Sequence, residues 1–138
     1  MGKRKRLMAE KLKEQRKQTH YAVLRNEPSS PRKMRLVADL IRGKDVETAL
    51  NILQYSPKAA AVPMRKLLLS AIANWEQKNE DGNLSVSDLF VKTVKVDQAR
   101  TLKRIQPRAQ GRAFRIRKRS NHVTLVLDVK QTEEQQNN

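Results

Sequence analysis

Apolar residues recur at helical spacing in the central part of the chain, starting after a clear helix-start signal. Ser30 is a good N-cap residue, Pro31 suits the first helical position, and Gly43 suits a C-terminal stop. The residues at positions i, i+3, i+4 and i+7 are Met34, Val37, Ala38 and Ile41. This spacing predicts an amphipathic helix with one buried face. Off that face, toward solvent or a binding partner, lie Arg32, Lys33, Arg35 and Arg42.

Two further helices are predicted downstream. Asp45 caps a shorter one that ends near Tyr55, and its apolar face consists of Val46, Ala49, Leu50 and Leu53. Ser56-Pro57 repeats the capping signature and predicts a third helix to about Lys78. Its buried stripe is Leu67, Leu68, Ala71, Ile72 and Trp75. Pro63 interrupts it, because an interior proline removes a backbone hydrogen bond and clashes with the preceding turn. Either this helix is kinked at Pro63 or its regular part begins later.

Alternating apolar and polar positions predict the strands. Residues 21–25 form a short strand candidate that ends at the Asn-Glu-Pro turn at 26–28. After a turn predicted at 79–83, two strand-like regions cover about 89–96 and 113–129. The second contains a half-buried pattern, since apolar residues alternate there with His122, Thr124, Val126 and Asp128. Those apolar residues are Val123, Leu125, Leu127 and Val129.

The segment joining these two regions has too few apolar residues for a core. Pro107 and Gly111 suit a bend at its middle. Two strands joined in this way predict a long antiparallel hairpin over about 98–119, with about twelve residues in each arm and a reach of ~35–40 Å. A ribbon of that length is not independently stable in water, so we expect a partner along its whole length.

The same segment concentrates the positive charge of the chain. The protein has 30 basic and 14 acidic residues, a net charge of +16, yet no acidic residue lies between Gln98 and Leu127. Residues 1–20 are also basic, with 8 basic and 2 acidic side chains, and the remainder is close to neutral. Charge concentrated like this repels itself unless a polyanion neutralises it, and nucleic acid is the polyanion that fits.

Arginine outnumbers lysine seven to two in the acid-free segment. Guanidinium groups bind phosphate through two donors and stack on bases, which suits irregularly folded RNA. On the returning arm Arg115, Arg117 and Arg119 are predicted to share one face, with Phe114 and Ile116 on the other. Gln106 and Gln110 add groups for base edges or sugar hydroxyls. Composition does not separate RNA from DNA, so a DNA-binding architectural or regulatory protein is the alternative.

Residue patterns typical of catalysis are lacking. With no cysteine there is no disulfide, thiolate metal site or thiol nucleophile, and the four glycines form no phosphate-binding loop. His20 and His122 are far apart and have no carboxylate at metal-ligand spacing. Asp88 and Asp97 flank a strand, where carboxylates are usually turn caps. We therefore expect no enzyme, no cofactor and no metal site.

Length and composition indicate a single domain of 138 residues. We expect a basic N-terminal arm at 1–20, at most transiently helical, one globular domain at 21–130 and a polar tail at 131–138. No stretch approaches the ~20 apolar residues of a membrane span, and no secretory signal is recognisable. The expected location is the cytosol. The sequence shows no exposed apolar stripe that could form an interface between two copies, so we expect no homo-oligomer.

Four motifs in order carry a resemblance to a known family. They are SPRKMRLVADLIRGK (30–44), ETALNIL (47–53), SAIANWE (70–76) and KRIQPRAQGRAFRIRKRSNHVTLVL (103–127). From about residue 21 to 130 the chain resembles protein twenty-two of the large ribosomal subunit, in its bacterial or organellar size. The resemblance implies an α+β fold, with three helices packed on a small three-stranded antiparallel sheet and a long protruding β-hairpin.

The resemblance also implies a function in the cytoplasmic ribosome. Proteins of this family bind large-subunit (23S-type) rRNA, contact neighbouring ribosomal proteins, assist assembly and line the nascent-peptide exit tunnel with the hairpin tip, next to the nascent peptide. The rRNA-binding residues implied here are Arg32, Lys33, Arg35, Arg100, Lys103, Arg104, Gln106, Arg108, Gln110, Arg112, Arg115, Arg117, Lys118 and Arg119. The implied tunnel tip is Leu102, Lys103, Arg104, Ile105, Gln106, Pro107, Arg108 and Ala109.

Overall fold

The computed structural model describes residues 2–79 and 86–130. In these ranges the helices are α1 (Lys3–Gln18), α2 (Pro31–Ile41), α3 (Val46–Tyr55) and α4 (Ala61–Lys78). The strands are β1 (His20–Glu27), β2 (Leu89–Gln98), β3 (Leu102–Pro107), β4 (Ala113–Lys118) and β5 (Asn121–Val129). An antiparallel sheet has the order β1-β5-β2, and β3 and β4 form a separate two-stranded ribbon. The predicted α+β class with a protruding hairpin is confirmed.

The predicted stripe of α2 is the centre of the core. Met34, Val37, Ala38 and Ile41 are fully buried. After the helix Gly43 adopts φ +72°, a left-handed conformation that favours glycine. Its amide donates to the Val91 carbonyl at 2.8 Å, and the Val91 amide donates to the Lys44 carbonyl at 2.9 Å. The chain leaving α2 is thereby fixed against β2 before α3 begins.

The third predicted helix begins later than Ser56-Pro57 indicates. Residues 56–58 lie outside the helix, and α4 starts at Ala61. Pro63 then falls in the first turn, where backbone amides have no intrahelical acceptor, so the proline removes no helical hydrogen bond. Of the two alternatives at Pro63, the later start is correct. The predicted stripe of α4, from Leu67 to Trp75, is buried.

The strand region predicted over 113–129 is two strands rather than one. β4 pairs with β3, whereas β5 pairs with β1 and β2, and the chain passes from one pairing to the other at Arg119 and Ser120. β1 is also longer than predicted. Along β5 the expected alternation is confirmed, because Val123, Leu125 and Leu127 are buried.

A β-bulge in β2 changes which residues face the core. The register shifts between Val91 and Thr93. Before the bulge Leu89 and Val91 are buried, and after it Val94 and Val96 are buried. The extra residue at the bulge reverses the alternation, so both halves of the strand direct their apolar side chains to the helices.

The N-terminal arm is a continuous helix, α1, where the sequence predicts a transient one. The side chains of residues 3–17 are exposed, including Leu7, Met8 and Leu12. Lys78 Nζ donates to the carbonyl oxygens of Lys17 and Thr19 at 3.3 and 2.9 Å. In the described ranges, no helix combines the length and apolar character that crossing a membrane requires. Most of the turn predicted at 79–83, and the tail at 131–138, lie outside the described residues.

Candidate nucleic-acid interface

The acid-free segment forms the ribbon of β3 and β4. Its register runs from Leu102 opposite Lys118 to Pro107 opposite Ala113. The chain reverses between Arg108 and Arg112, where the Arg108 amide donates to the Arg112 carbonyl at 2.8 Å. At the other end the Ala99 amide donates to the Ser120 carbonyl at 2.9 Å, which joins the ribbon to the sheet. Of the predicted tip residues, Arg108 and Ala109 lie in the turn, and the others lie along β3.

Both faces of the ribbon carry positive charge. Directly paired residues share a face, so Lys103, Arg115 and Arg117 lie together with Ile105 on one side. The opposite side contains Arg104 and Lys118, with Leu102, Gln106, Phe114 and Ile116. Within β4, Arg115 and Arg117 lie on the face opposite Phe114 and Ile116, as predicted, whereas Arg119 lies beyond the strand. β3 adds Ile105 to the first face and Arg104 to the second.

The basic groups from Arg100 to Arg119 are exposed and have no acidic partner within residues 2–79 and 86–130. All nine basic side chains from Arg100 to Arg119 are exposed. The ion pairs found among the described residues lie elsewhere, as in Lys130–Asp45 and Arg42–Asp39. Arg108 lies over the Phe114 ring, with its guanidinium carbon 5.7 Å from the ring centroid. The ribbon therefore presents cations whose charge the described part of the chain does not neutralise.

The predicted residues on α2 have different surroundings. Arg32 and Lys33 are exposed at the start of the helix. Arg35 donates through Nε and Nη2 to the Val96 carbonyl, at 3.3 and 3.0 Å. Arg42 donates through Nη2 to the Val94 carbonyl at 3.0 Å. Because β2 is an edge strand, these two arginines satisfy carbonyls at its free edge, a structural task that composition does not reveal.

A groove lies where the start of α2 meets the base of the ribbon, with a volume of about 760 Å³. It brings Lys33 near Arg117, Lys118 and Arg119, all residues that the sequence analysis identified. Lys58 and Leu36 also line this groove, and neither was predicted as a binding residue. Neither has a local signal, because each borders the groove only after the helices and the ribbon have come together.

Asn121, the first residue of β5, holds the segment before α2 against the sheet. It is fully buried, and its Nδ2 donates to Ser29 O at 2.8 Å and to Ser29 Oγ at 2.9 Å. Ser29 and Ser30 line the groove, so this contact positions one wall of it. Asn121 likewise has no local sequence signal for this contact, since its partner is 92 residues away.

The two histidines contribute to the fold. His122 Nδ1 accepts a hydrogen bond from the Asn26 amide at 3.0 Å. His20 packs edge-on against Trp75 with ring centroids 6.4 Å apart, and its pKa is lowered by burial and then by the Lys78 charge. Asp88 and Asp97 stand at opposite ends of β2. In the described ranges no group of three or more His, Asp or Glu residues could hold a metal ion.

Sequence comparison with known proteins identifies the family. The family model described as ribosomal protein L22p/L17e matches residues 22–128. Large ribosomal subunit protein uL22 of Christiangramia forsetii is 61% identical over 127 residues, which cover 92% of this chain and 94% of that protein. The protein of the same name from Bacteroides fragilis strain YCH46 is 58% identical, over 99% of this chain and 100% of that protein. The one from Porphyromonas gingivalis is 56% identical, over 93% of this chain and 95% of that protein. The chain belongs to the ribosomal protein L22p/L17e family, whose members are structural, non-enzymatic components of the large ribosomal subunit.

Proposed function

We propose that this protein binds large-subunit (23S-type) rRNA mainly through the ribbon of β3 and β4. The observation that carries the proposal is the exposed segment from Arg100 to Arg119, which contains the ribbon and its turn. Its nine basic side chains have no acidic partner among the described residues, and no acidic residue lies between Gln98 and Leu127. An isolated two-stranded ribbon is marginal in water, and repulsion among these cations weakens it further. Phosphates along both faces supply the missing stabilisation and the counter-charge.

The proposed contacts are the fourteen rRNA-binding residues named from the resemblance. The pairing of β3 with β4 places the ones in the ribbon on both of its faces, so we expect the RNA to surround the ribbon instead of lying against one side. Arginine dominates, which favours irregular RNA, because guanidinium groups combine phosphate binding with stacking. Arg35 has donors left after its bonds to the Val96 carbonyl, so its place in the set is compatible with its role at the strand edge.

The salt dependence of RNA binding tests this proposal. Replacing Lys103, Arg115 and Arg117 with Gln removes three charges from one ribbon face without touching the core. The slope of log affinity against log salt is expected to flatten by about 2–3, at ~0.7–0.9 per phosphate contact. The matched control replaces Lys44, Arg65 and Lys66, three exposed basic residues of the body, with Gln. Equal slopes for the two variants would contradict the proposal.

The DNA-binding alternative is decided in the same assay. The probes are protein-free large-subunit rRNA and duplex DNA containing the same number of phosphates. We expect the rRNA to bind more tightly at every salt concentration, because a folded RNA can contact both ribbon faces. Tighter binding to the DNA duplex would favour the alternative.

The resemblance implies a tunnel tip at 102–109, of which Arg108 and Ala109 lie in the turn at the end of the ribbon. A second part of the proposal places these two residues, with the rest of the turn at 108–112, in the wall of the nascent-peptide exit tunnel. Two observations support this assignment. The turn joins β3 to β4 at the end of the ribbon opposite its connections to β2 and β5, and its side chains are exposed. Since the chain contains no cysteine, Gln110→Cys and Arg117→Cys give single attachment points for a photoreactive probe. In ribosomes that hold a stalled nascent peptide, the Gln110 probe is expected to crosslink to the peptide and the Arg117 probe to RNA alone. Crosslinks from Gln110 to RNA alone would refute the tunnel assignment.

We further propose the domain division made from the sequence, with residues 21–130 as the globular domain. In this proposal α1 is a second basic contact with RNA or a neighbouring ribosomal protein. The protein is placed in the ribosome of the cytoplasm. The exposed basic side chains of α1 support this role. Deleting residues 2–18 should weaken binding to protein-free rRNA while leaving the unfolding free energy of the body unchanged. A large loss of stability would show instead that α1 belongs to the globular domain.

A further inference from the structure

The groove at the base of the ribbon has two exposed leucines on its walls. Leu36 on α2 is 56% exposed and Leu102 on β3 is 46% exposed, and both line the groove together with Ala59 and Ala60. Large apolar side chains that border one concave surface are a typical signature of a binding site. The volume of about 760 Å³ lies within the ~300–1,000 Å³ range of sites for small ligands or single groups.

Every charged residue that lines this groove is basic. They are Lys33, Lys58, Arg117, Lys118 and Arg119. They come from three separate parts of the chain, namely α2, the segment before α4 and the returning arm of the ribbon. The groove is therefore an apolar surface surrounded by cations, which is complementary to an occupant with an uncharged planar body and an anionic backbone.

We propose that this groove binds one unpaired nucleotide of the RNA, with the base against Leu36 and Leu102 and the flanking phosphates on the surrounding lysines and arginines. The inference rests on the proposed function and adds to it a site and a ligand class. Phosphate binding alone explains the basic residues but leaves the two leucines in water. A base removed from its stack covers them, and burial of that apolar surface favours the complex.

An unpaired nucleotide fits the groove better than a paired one. In an RNA helix the bases are stacked and their edges lie in grooves, so a duplex offers phosphates and sugars but no free base face. Proteins that read single-stranded loops and bulges bind splayed bases on apolar and guanidinium surfaces. Arg117 and Arg119 supply guanidinium planes here, and Ser30, which makes no side-chain capping bond, supplies a hydroxyl for a base edge or a 2′-hydroxyl.

The test compares two pairs of leucine variants of the full chain on protein-free large-subunit rRNA. Leu36→Gln and Leu102→Gln alter the groove. Leu40→Gln and Leu69→Gln are matched controls, because Leu40 is 43% and Leu69 is 47% exposed and neither lines the groove. We expect the groove variants to bind roughly tenfold more weakly and the controls within about twofold of the unmodified protein, with an unchanged salt slope for all four.

Base-specific chemical modification of the same complexes identifies the occupant. Dimethyl sulfate and a carbodiimide together modify the exposed edges of all four bases. The unmodified protein and both controls should protect one unpaired base that regains reactivity with Leu36→Gln and with Leu102→Gln. The proposal is overturned if the four variants bind equally, or if no single base changes reactivity between the groove variants and the controls.

A protein occupant gives a different result. If the groove variants bind RNA normally but fail to retain a neighbouring ribosomal protein in assembled subunits, the groove is a protein contact and the nucleotide proposal is wrong. Failure of the proposed function is distinguishable, since the unmodified protein would then show no steep salt dependence on rRNA. Steep salt dependence without any leucine effect rejects the nucleotide site alone.

Discussion

Replacing Asn121 with Ala is expected to destabilise the protein by about 2 kcal/mol. The side chain is fully buried, and its amide donates at 2.8 Å to the Ser29 carbonyl and at 2.9 Å to the Ser29 hydroxyl. Each buried hydrogen bond contributes about 0.5–1.5 kcal/mol, so the two together contribute about 1–3 kcal/mol. Ser29 O also loses this donor in the variant. Asn121 Oδ1 has no hydrogen-bond partner among the described residues, and removal of that unsatisfied group offsets part of the loss.

Urea unfolding of the full chain measures this loss directly. Trp75 is the single tryptophan and is 3% exposed, so its fluorescence reports the unfolding of the core. At about 3–4 °C per kcal/mol for a domain of this size, the melting temperature should fall by roughly 6–8 °C. Ser29→Ala removes one acceptor and should cost about 1 kcal/mol or less. Asn121→Asp should cost more than Asn121→Ala, because a carboxylate cannot donate to the Ser29 carbonyl and carries a buried charge.

The unfolding free energies of these variants test the role assigned to Asn121. A loss below about 0.5 kcal/mol for Asn121→Ala would mean that neither bond contributes a typical amount. Asn121→Asp unfolding at higher urea than Asn121→Ala would mean that donation to Ser29 is not the function of this side chain. Either result would refute the assignment of Asn121 as the residue that holds the segment before α2 against β5.

Other predictions concern the core, the ribbon turn and the dependence on pH. Leu125→Asp buries an unpaired charge in the central strand at a cost of several kcal/mol against a total of about 5–15 kcal/mol, so circular dichroism should show no cooperative unfolding, whereas Leu125→Ala should fold with a loss of ~2–5 kcal/mol. Gly111→Ala imposes φ +70° on alanine at about 1–2 kcal/mol, and should speed amide exchange at Arg108 while urea unfolding of the core stays within ~0.5 kcal/mol. The lowered pKa of His20, from burial and Lys78, means that the unfolded chain binds the proton first, so stability should fall as the pH drops below the ordinary value of 6.5 and through the folded-state pKa. His20→Phe should reduce that acid-side loss in urea unfolding at pH 7.5 and 5, and an identical loss in both proteins would contradict the assignment.

Local signals explain why α2 was predicted correctly. A cap residue, a proline at the first helical position and four apolar residues at helical spacing are all read within one short segment. The helix start predicted at Ser56-Pro57 was wrong, because a cap residue followed by proline permits a helix to begin but does not require it. A helix from residue 57 would place Pro63 in its interior at a cost of about 3 kcal/mol. Starting at Ala61 avoids that cost, so the start could have been inferred from Pro63.

The bulge in β2 was also readable from the sequence. Leu89 and Val91 are separated by one residue, as are Val94 and Val96, but two residues lie between Val91 and Val94. If all four side chains face one core, an extra residue must be accommodated in the strand, and a bulge does this. The burial of these four residues and the register shift between Val91 and Thr93 agree with that interpretation.

Contacts between distant segments could not be predicted in this way. Asn121 and Ser29 are 92 residues apart, and no pattern in either neighbourhood indicates that they meet. The groove has the same origin, because Lys33, Lys58 and Lys118 belong to three different segments. Sequence periodicity predicts which face of an element is buried, whereas the partners across that face depend on topology. The charge of the ribbon was predictable, and its apolar neighbour Leu36 was not.

The arginines of α2 show why charge alone does not identify a binding residue. Arg35 and Arg115 are both exposed and both were predicted to bind RNA, but Arg35 donates twice to the Val96 carbonyl and Arg115 has no such contact among the described residues. An edge strand with free carbonyls is a template for unwanted pairing, and side chains that cover it protect the monomer. Under the proposed function, we therefore expect loss of Arg35 to lower both stability and RNA affinity, and loss of Arg115 to lower RNA affinity alone. Measuring unfolding and RNA affinity for the same variant is the way to separate these two roles, because neither quantity alone distinguishes an arginine that caps the sheet from one that binds phosphate.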